Sequence, residues 1–162
     1  MGRPLYEDAA TKCAERELIA YVGPKLRKAG ELYWGSLVSE AETEVLAASD
    51  HVMHFERGSF FIEVKNRRSR FATFMISESK IASLMAHVEQ ERSAGRQARA
   101  FVIVTTPESQ GRRRVSVFHP DMIPVQRKMG GRDDRGDGID REMCLYYDWN
   151  DAVDLGTYPT KL

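Results

Sequence analysis

The 162-residue chain has no run of about 18 apolar residues, so no segment reads as a membrane-spanning helix. Its N-terminus, MGRPLYEDAATKCAERE, lacks the apolar stretch of a secretory signal. Cysteine is scarce. Cys13 and Cys144 lie far apart and form no CxxC pair, which favours a reduced, cytoplasmic setting and leaves one disulfide open. Charge of one sign is not in excess either: 24 Lys and Arg balance 24 Asp and Glu, so an anion-binding surface has to come from local clustering. No P-loop, GxGxxG or GxSxG motif occurs. The four histidines have no thiolate partners at zinc spacing. DDRGDG (133–138) fails as a calcium loop, because Arg135 takes a ligand position and Cys144 stands where the closing glutamate belongs.

What is present is a globular composition, 42% apolar and 30% charged, with no internal repeat. Its length suits one domain, with a core over about residues 6–120 and a loop and C-terminal extension over 121–162. Helical spacing of Ala10, Cys13, Ala14, Leu18 and Val22 predicts a first helix that stops at Gly23-Pro24. ELYWGSLV (31–38) reads as a strand, and residues 39–49 as a short helix opened by Ser39. Ser77 caps a helix with Ile81, Leu84, Met85 and Val88 as its buried stripe and Gly95 as its end. ARAFVIVTT (98–106) and RRVSVF (113–118) are further strands, residues 126–141 a polar loop, and EMCLYYDW (142–149) a closing edge strand. The order is that of an α/β domain.

The most informative stretch is SFFIEVKNRRSRF (59–71). Side chains alternate across a strand, so Phe60, Ile62 and Val64 share one face while Phe61, Glu63 and Lys65 share the other. Residues 50–56 and 59–65 flank Arg57-Gly58, a plausible two-residue hairpin. In that register Asp50 faces Lys65 and Val52 faces Glu63, which puts Asp50, Glu63 and Lys65 on one surface. Two carboxylates beside a lysine suit a hard cation, Mg²⁺ or Mn²⁺, that activates water against a phosphate. The lysine then orients the water or offsets charge on phosphorus. The carbonyl of Val64, at the end of the strand, is available as a further metal ligand. An exposed Glu-Lys ion pair is the competing reading of the tripeptide alone.

Asp50, a hairpin and FIEVK (61–65) resemble the PD-(D/E)XK, or restriction-endonuclease-like, nuclease superfamily, and within it the archaeal Holliday-junction resolvases. The resemblance extends through AERELIAYV (14–22), SESKIASLMAHV (77–88), AFVIVTT (100–106) and RRVSVF (113–118), about two-thirds of the chain. It implies a central mixed β-sheet flanked by helices. Glu15, Asp50 and Glu63 would be the acidic site residues and Lys65 the catalytic lysine. Ser49 stands where the superfamily commonly has proline, and the segment before Asp50 is longer than in the resolvases. Lys80 opposes the dipole of the second helix, which hints at a duty near the same site.

Basic clusters point to DNA as the partner: Arg67, Arg68 and Arg70 after the strand, and Arg112, Arg113 and Arg114 in a turn. The expectation is therefore a Mg²⁺- or Mn²⁺-dependent deoxyribonuclease, with branched DNA as the substrate the resemblance suggests and a homodimer suited to cutting two strands. The alternative is a catalytically inactive nucleic-acid-binding or phage assembly protein that retains the nuclease fold.

Overall fold

The computed structural model describes residues 9–42, 51–130 and 141–160. Helix α1 (Ala9–Trp34) is longer than the sequence suggests and runs through Pro24. Its buried stripe is Ala14, Leu18, Val22, Leu26, Gly30 and Trp34, one residue every fourth position. A proline inside a helix costs about 3 kcal/mol. Burying Leu26 and Trp34 beyond it returns about 2 kcal/mol or more apiece, and Pro24 itself faces solvent. Packing therefore outweighs the stop signal. Cys13, expected on the apolar side, is exposed. The helix ends at Gly35, whose φ of 84° suits only a residue without a Cβ and whose N–H bonds the Glu31 carbonyl.

Residues 31–34 are thus helical, and strand β1 (Leu37–Glu42) takes in the end of the expected strand and the start of the expected short helix. The rest of that expected helix, 43–49, and Asp50 lie outside the described residues. Strands β2 (His51–Phe55) and β3 (Gly58–Asn66) pair antiparallel, with Val52 opposite Phe61 and His51 opposite Ile62. The turn is therefore Glu56-Arg57, not Arg57-Gly58. A two-unit change in the pairing sum leaves each residue on its expected face. Gly58 misleads because its role is not in the turn: a Cβ there would overlap the Trp34 indole.

Strand β4 (Thr73–Ser77), which the sequence reading missed, leads into helix α2 (Glu78–Ser93). Ser77 caps this helix as expected, accepting the Lys80 N–H at 3.2 Å, and Gly95 follows with φ 81°. Strands β5 (Gln97–Glu108) and β6 (Arg112–Phe118) come next. They are followed by β7 (Gln126–Gly130), β8 (Glu142–Asp148), a short 3-10 helix (Trp149–Asp151) and β9 (Val153–Pro159). Residues 126–130 of the expected loop are thus strand, and 131–140 lie outside the described residues. Nor does β8 close the main sheet at an edge; it is the middle of a second one.

The main sheet is mixed, in the order β1-β2-β3-β5-β6-β9, with β3 and β5 parallel. The second, β4-β8-β7, is antiparallel. One face of the main sheet carries α1, through Leu18, Val22 and Trp34 against Phe55, Ile62 and Val64. The other carries α2 and the second sheet, through Leu84, Val88 and Phe74 against Phe61, Val102 and Phe118. Strand β3 is covered on both sides, which explains its nearly unbroken apolar run.

Gly30 tests this packing. A Cβ there would overlap the Phe55 ring, itself only 1% exposed. Alanine gains about 1 kcal/mol of helix propensity, but overpacking costs about 1–3 kcal/mol. Gly30→Ala should lower the Tm by a few degrees in a thermal melt; an unchanged or higher Tm would contradict the close approach.

Candidate active site

Glu63 is 1% exposed, on the α2 face of β3. A carboxylate taken out of water costs several kcal/mol unless it is compensated. Two lysines do this: Lys65 Nζ lies 2.8 Å from one oxygen and Lys80 Nζ 3.1 Å from the other. Lys65 comes from the same face of the same strand. Lys80 comes from the first turn of α2, where its charge opposes the helix dipole and Glu63 offsets that cost. Both lysine side chains stay partly open to solvent, so the buried acid meets the surface through its two bases.

Helix α1 runs antiparallel to β3. Trp34 packs on Phe60 near the start of the strand. Glu17 at the other end acts electrostatically on Arg113, whose guanidinium bonds the Arg67 carbonyl and Thr105 just past Lys65. The N-terminal part of α1 therefore sits at the same end of the sheet as Glu63 and Lys65. Tyr21, one turn beyond Glu17, stacks on Tyr158 of β9, so that flank of α1 faces β6 and β9. Glu15 lies about 200° round from Glu17 and projects toward the β2 flank instead. It is mostly buried and pairs with Lys12 at 3.7 Å. The structure thus brings Glu63, Lys65 and Lys80 together and puts Glu15 at the same end, over the α1 face. Asp50 is outside the described residues, directly ahead of His51, whose partner Ile62 precedes Glu63.

That start of β2 is anchored. Glu40 on β1 meets His51 at 2.8 Å, and Arg27 of α1 meets the other Glu40 oxygen at 2.8 Å. Burial pushes the Glu40 carboxyl up, but hydrogen bonds from Arg27 and His51 together bring it below the ordinary range.

The arginines divide by contact. Arg67 is built into the fold: it donates to the Met75 carbonyl at 2.6 Å and lies 5.3 Å from the Phe74 ring centroid. Burial draws its guanidinium below the usual arginine range, with Cys144 and Glu63 acting the other way. Arg113 is held by Thr105 and the Arg67 carbonyl, and burial likewise draws it down. Arg112 bonds Thr157 across to β9. Arg114 lies between Glu108 and Asp154, two acids brought in by strand pairing. Arg68 and Arg70 are exposed, Arg70 over the Trp149 ring at 4.3 Å. Sequence reading missed the Asn66–Thr105–Arg113 network that fixes the chain after Lys65; only the Thr105 hydroxyl to Asn66 bond, at 2.8 Å, has a polar pair that a parallel register would suggest. Cys13 and Cys144 are both free.

The candidate metal donors at this end, the Glu63 carboxylate and the Val64 carbonyl, are hard oxygens and fit Mg²⁺ or Mn²⁺ rather than a soft metal. Among the described residues there is no group of three His, Cys, Asp or Glu that could hold an ion, so further carboxylates would have to come from Asp50 or Glu15. Among the described residues no helix is long and apolar enough to cross a membrane.

A central mixed sheet with flanking helices and a buried Glu-x-Lys at the end of its middle strand defines a restriction-endonuclease-like nuclease fold. The chain belongs to the family described as "Phage putative PDDEXK endonuclease", whose model matches residues 1–153. No curated protein matches it in sequence. Among solved structures it is similar to Hjc, a Holliday junction resolvase from the archaeal hyperthermophile Archaeoglobus fulgidus, with 18% identity and a TM-score of 0.50. That match covers 87% of this chain and 88% of the other.

The Glu40 clamp carries a pH signature. A carboxyl with a lowered folded-state pKa stabilises the fold above its unfolded value of about 4.3, and the contribution disappears as pH falls through the folded value. Glu40→Gln should therefore be less stable than the wild type at pH 7, with the gap closing below about pH 4. Denaturant melts of both proteins at pH 7 and pH 3.5 check this; a constant gap would mean that Glu40 carries no such linkage.

Proposed function

We propose that the protein is a Mg²⁺- or Mn²⁺-dependent endonuclease that hydrolyses DNA phosphodiester bonds at the end of β3. The observation that carries this reading is the buried Glu63 carboxylate between Lys65 and Lys80. Glu63, Asp50, Glu15 and the Val64 carbonyl would hold the metal. When bound, the ion supplies Lewis acidity to a water and to the phosphate oxygens. Lys65, still partly open to solvent, orients the attacking water and offsets the charge that builds on phosphorus. Lys80 pairs with the buried Glu63 and lends a second positive charge where the phosphate arrives. DNA would approach along Arg68 and Arg70, with Arg112 and Arg114 at the start of β6 and Arg67 and Arg113 holding the chain beneath. Branched DNA is the substrate suggested by the likeness to a resolvase, and a homodimer would let both strands of a junction be cut.

The test is cleavage of supercoiled plasmid and a four-way junction with Mg²⁺, Mn²⁺ or EDTA. Glu63→Gln and Asp50→Asn should each lose more than the roughly 10–100-fold that altering a ligand's outer hydrogen-bond partner costs. Metal should also raise the Tm of the wild type and not of these variants, a readout independent of turnover. Lys65→Ala should lose kcat while keeping that metal-induced shift and its affinity for DNA. Wild-type cleavage by either carboxylate variant would sink the assignment. DNA binding without cleavage by the wild type would favour the inactive binding module instead.

A further inference from the structure

The segment that leaves β3 ends in an exposed aromatic ring. Phe71 is 74% exposed. A single exposed apolar side chain is ordinary, but three features set this one apart. First, its backbone is pinned: the Trp149 indole N–H donates to the Phe71 carbonyl at 2.7 Å. Trp149 is in turn fixed, packing on Phe74 and Phe118 with Arg70 over its ring at 4.3 Å. The ring is therefore presented to solvent by a held backbone. Second, the stretch of chain that leads to the ring is basic. From Lys65 to Ser77 the sequence has Lys65, Arg67, Arg68 and Arg70 and no Asp or Glu. The acids nearby, Asp148 and Asp151, belong to the turn that carries Trp149, where Asp148 accepts from the Asn150 N–H at 2.9 Å. Third, the position is close to the site: Phe71 is six positions beyond Lys65, a reach of at most about 22 Å.

We propose that Phe71, flanked by Arg68 and Arg70, is a stacking platform for an unpaired DNA base a few nucleotides from the scissile phosphate. This deepens the nuclease reading and rests on it. Every base offers a π-face, so an aromatic ring with cationic neighbours recognises unstacked bases without reading their sequence. The arginines supply the phosphate contacts that hold the strand in register over the ring. A paired base, stacked in its helix, gains little from the same ring. The platform would therefore bias the protein toward DNA with single-stranded stretches or open junctions.

The experiment compares wild type, Phe71→Ala and Phe71→Trp by fluorescence anisotropy in EDTA. The probes are a labelled 20-mer single strand, a fork with unpaired arms and the matching duplex. Light scattering is recorded on each protein. Phe71→Ala should weaken binding to the single strand and the fork by about tenfold and leave the duplex within about twofold. Phe71→Trp should keep the affinity, with its added emission quenched by the single strand. The ring is exposed, so neither change should alter the thermal melt. Unchanged binding by Phe71→Ala, or an equal loss on duplex and single strand, would overturn the platform. A change of oligomeric state with unaltered DNA binding would overturn it too and assign Phe71 to self-association. If the wild type cleaves DNA with Mg²⁺ while Phe71→Ala binds every probe normally, the platform alone fails. If the wild type neither binds nor cleaves any DNA, the nuclease reading fails and takes the platform with it.

Discussion

A carboxylate at 1% exposure has to be compensated, and the layout around Glu63 follows from that requirement. Lys65 must share its strand face, so the chain needs a Glu-x-Lys at a strand end. Lys80 must arrive from the layer that covers this face, so α2 begins directly over that end, with Ser77 as its cap. Placing α2 there sets the crossover from β3 to β5, since the parallel neighbour of β3 can only be reached after a helix has spanned the sheet face. A hydrophobic pair of similar size would be cheaper to bury than this charged trio. Such a trio is what the proposed chemistry at Glu63 calls for.

Much of this was legible in the residues. The alternation in FFIEVK identifies β3 and gives the correct partition of its faces, because side-chain period is a local property. Ser77 and Gly95 bracket α2 for the same local reason. What failed depended on contacts between distant residues. Pro24 reads as a stop until Leu26 and Trp34 are known to be buried on the sheet. Gly58 reads as a turn residue until Trp34 is found against its Cα. β4 is short and emerges from an arginine-rich loop without a turn signal, so nothing local marks it. The second sheet joins β4 to β8 across about seventy positions of sequence, beyond what periodicity can reveal.

The candidate site divides along the same line. Glu63 and Lys65 are two residues apart and were visible as a pair. Lys80 could be suspected from its place against the helix dipole, but its partner could not be read without the fold. The arginines were seen as two triplets of equal standing. Instead, Arg67 and Arg113 hold the backbone beyond Lys65, Arg114 is neutralised across the sheet, and Arg68 and Arg70 remain on the surface. Rigid support beneath an exposed basic run suits the proposed phosphodiesterase site, because in-line attack tolerates little misplacement of the reacting groups.

The central claim is that the buried acid between two lysines is where a divalent cation and the scissile phosphate meet. Crystals grown with Mn²⁺, with diffraction data collected near the manganese absorption edge, test this most directly. The account predicts an anomalous peak within coordination distance of the Glu63 carboxylate. Crystals with Mn²⁺ bound only elsewhere, and Glu63 still paired with Lys65 and Lys80, would contradict it.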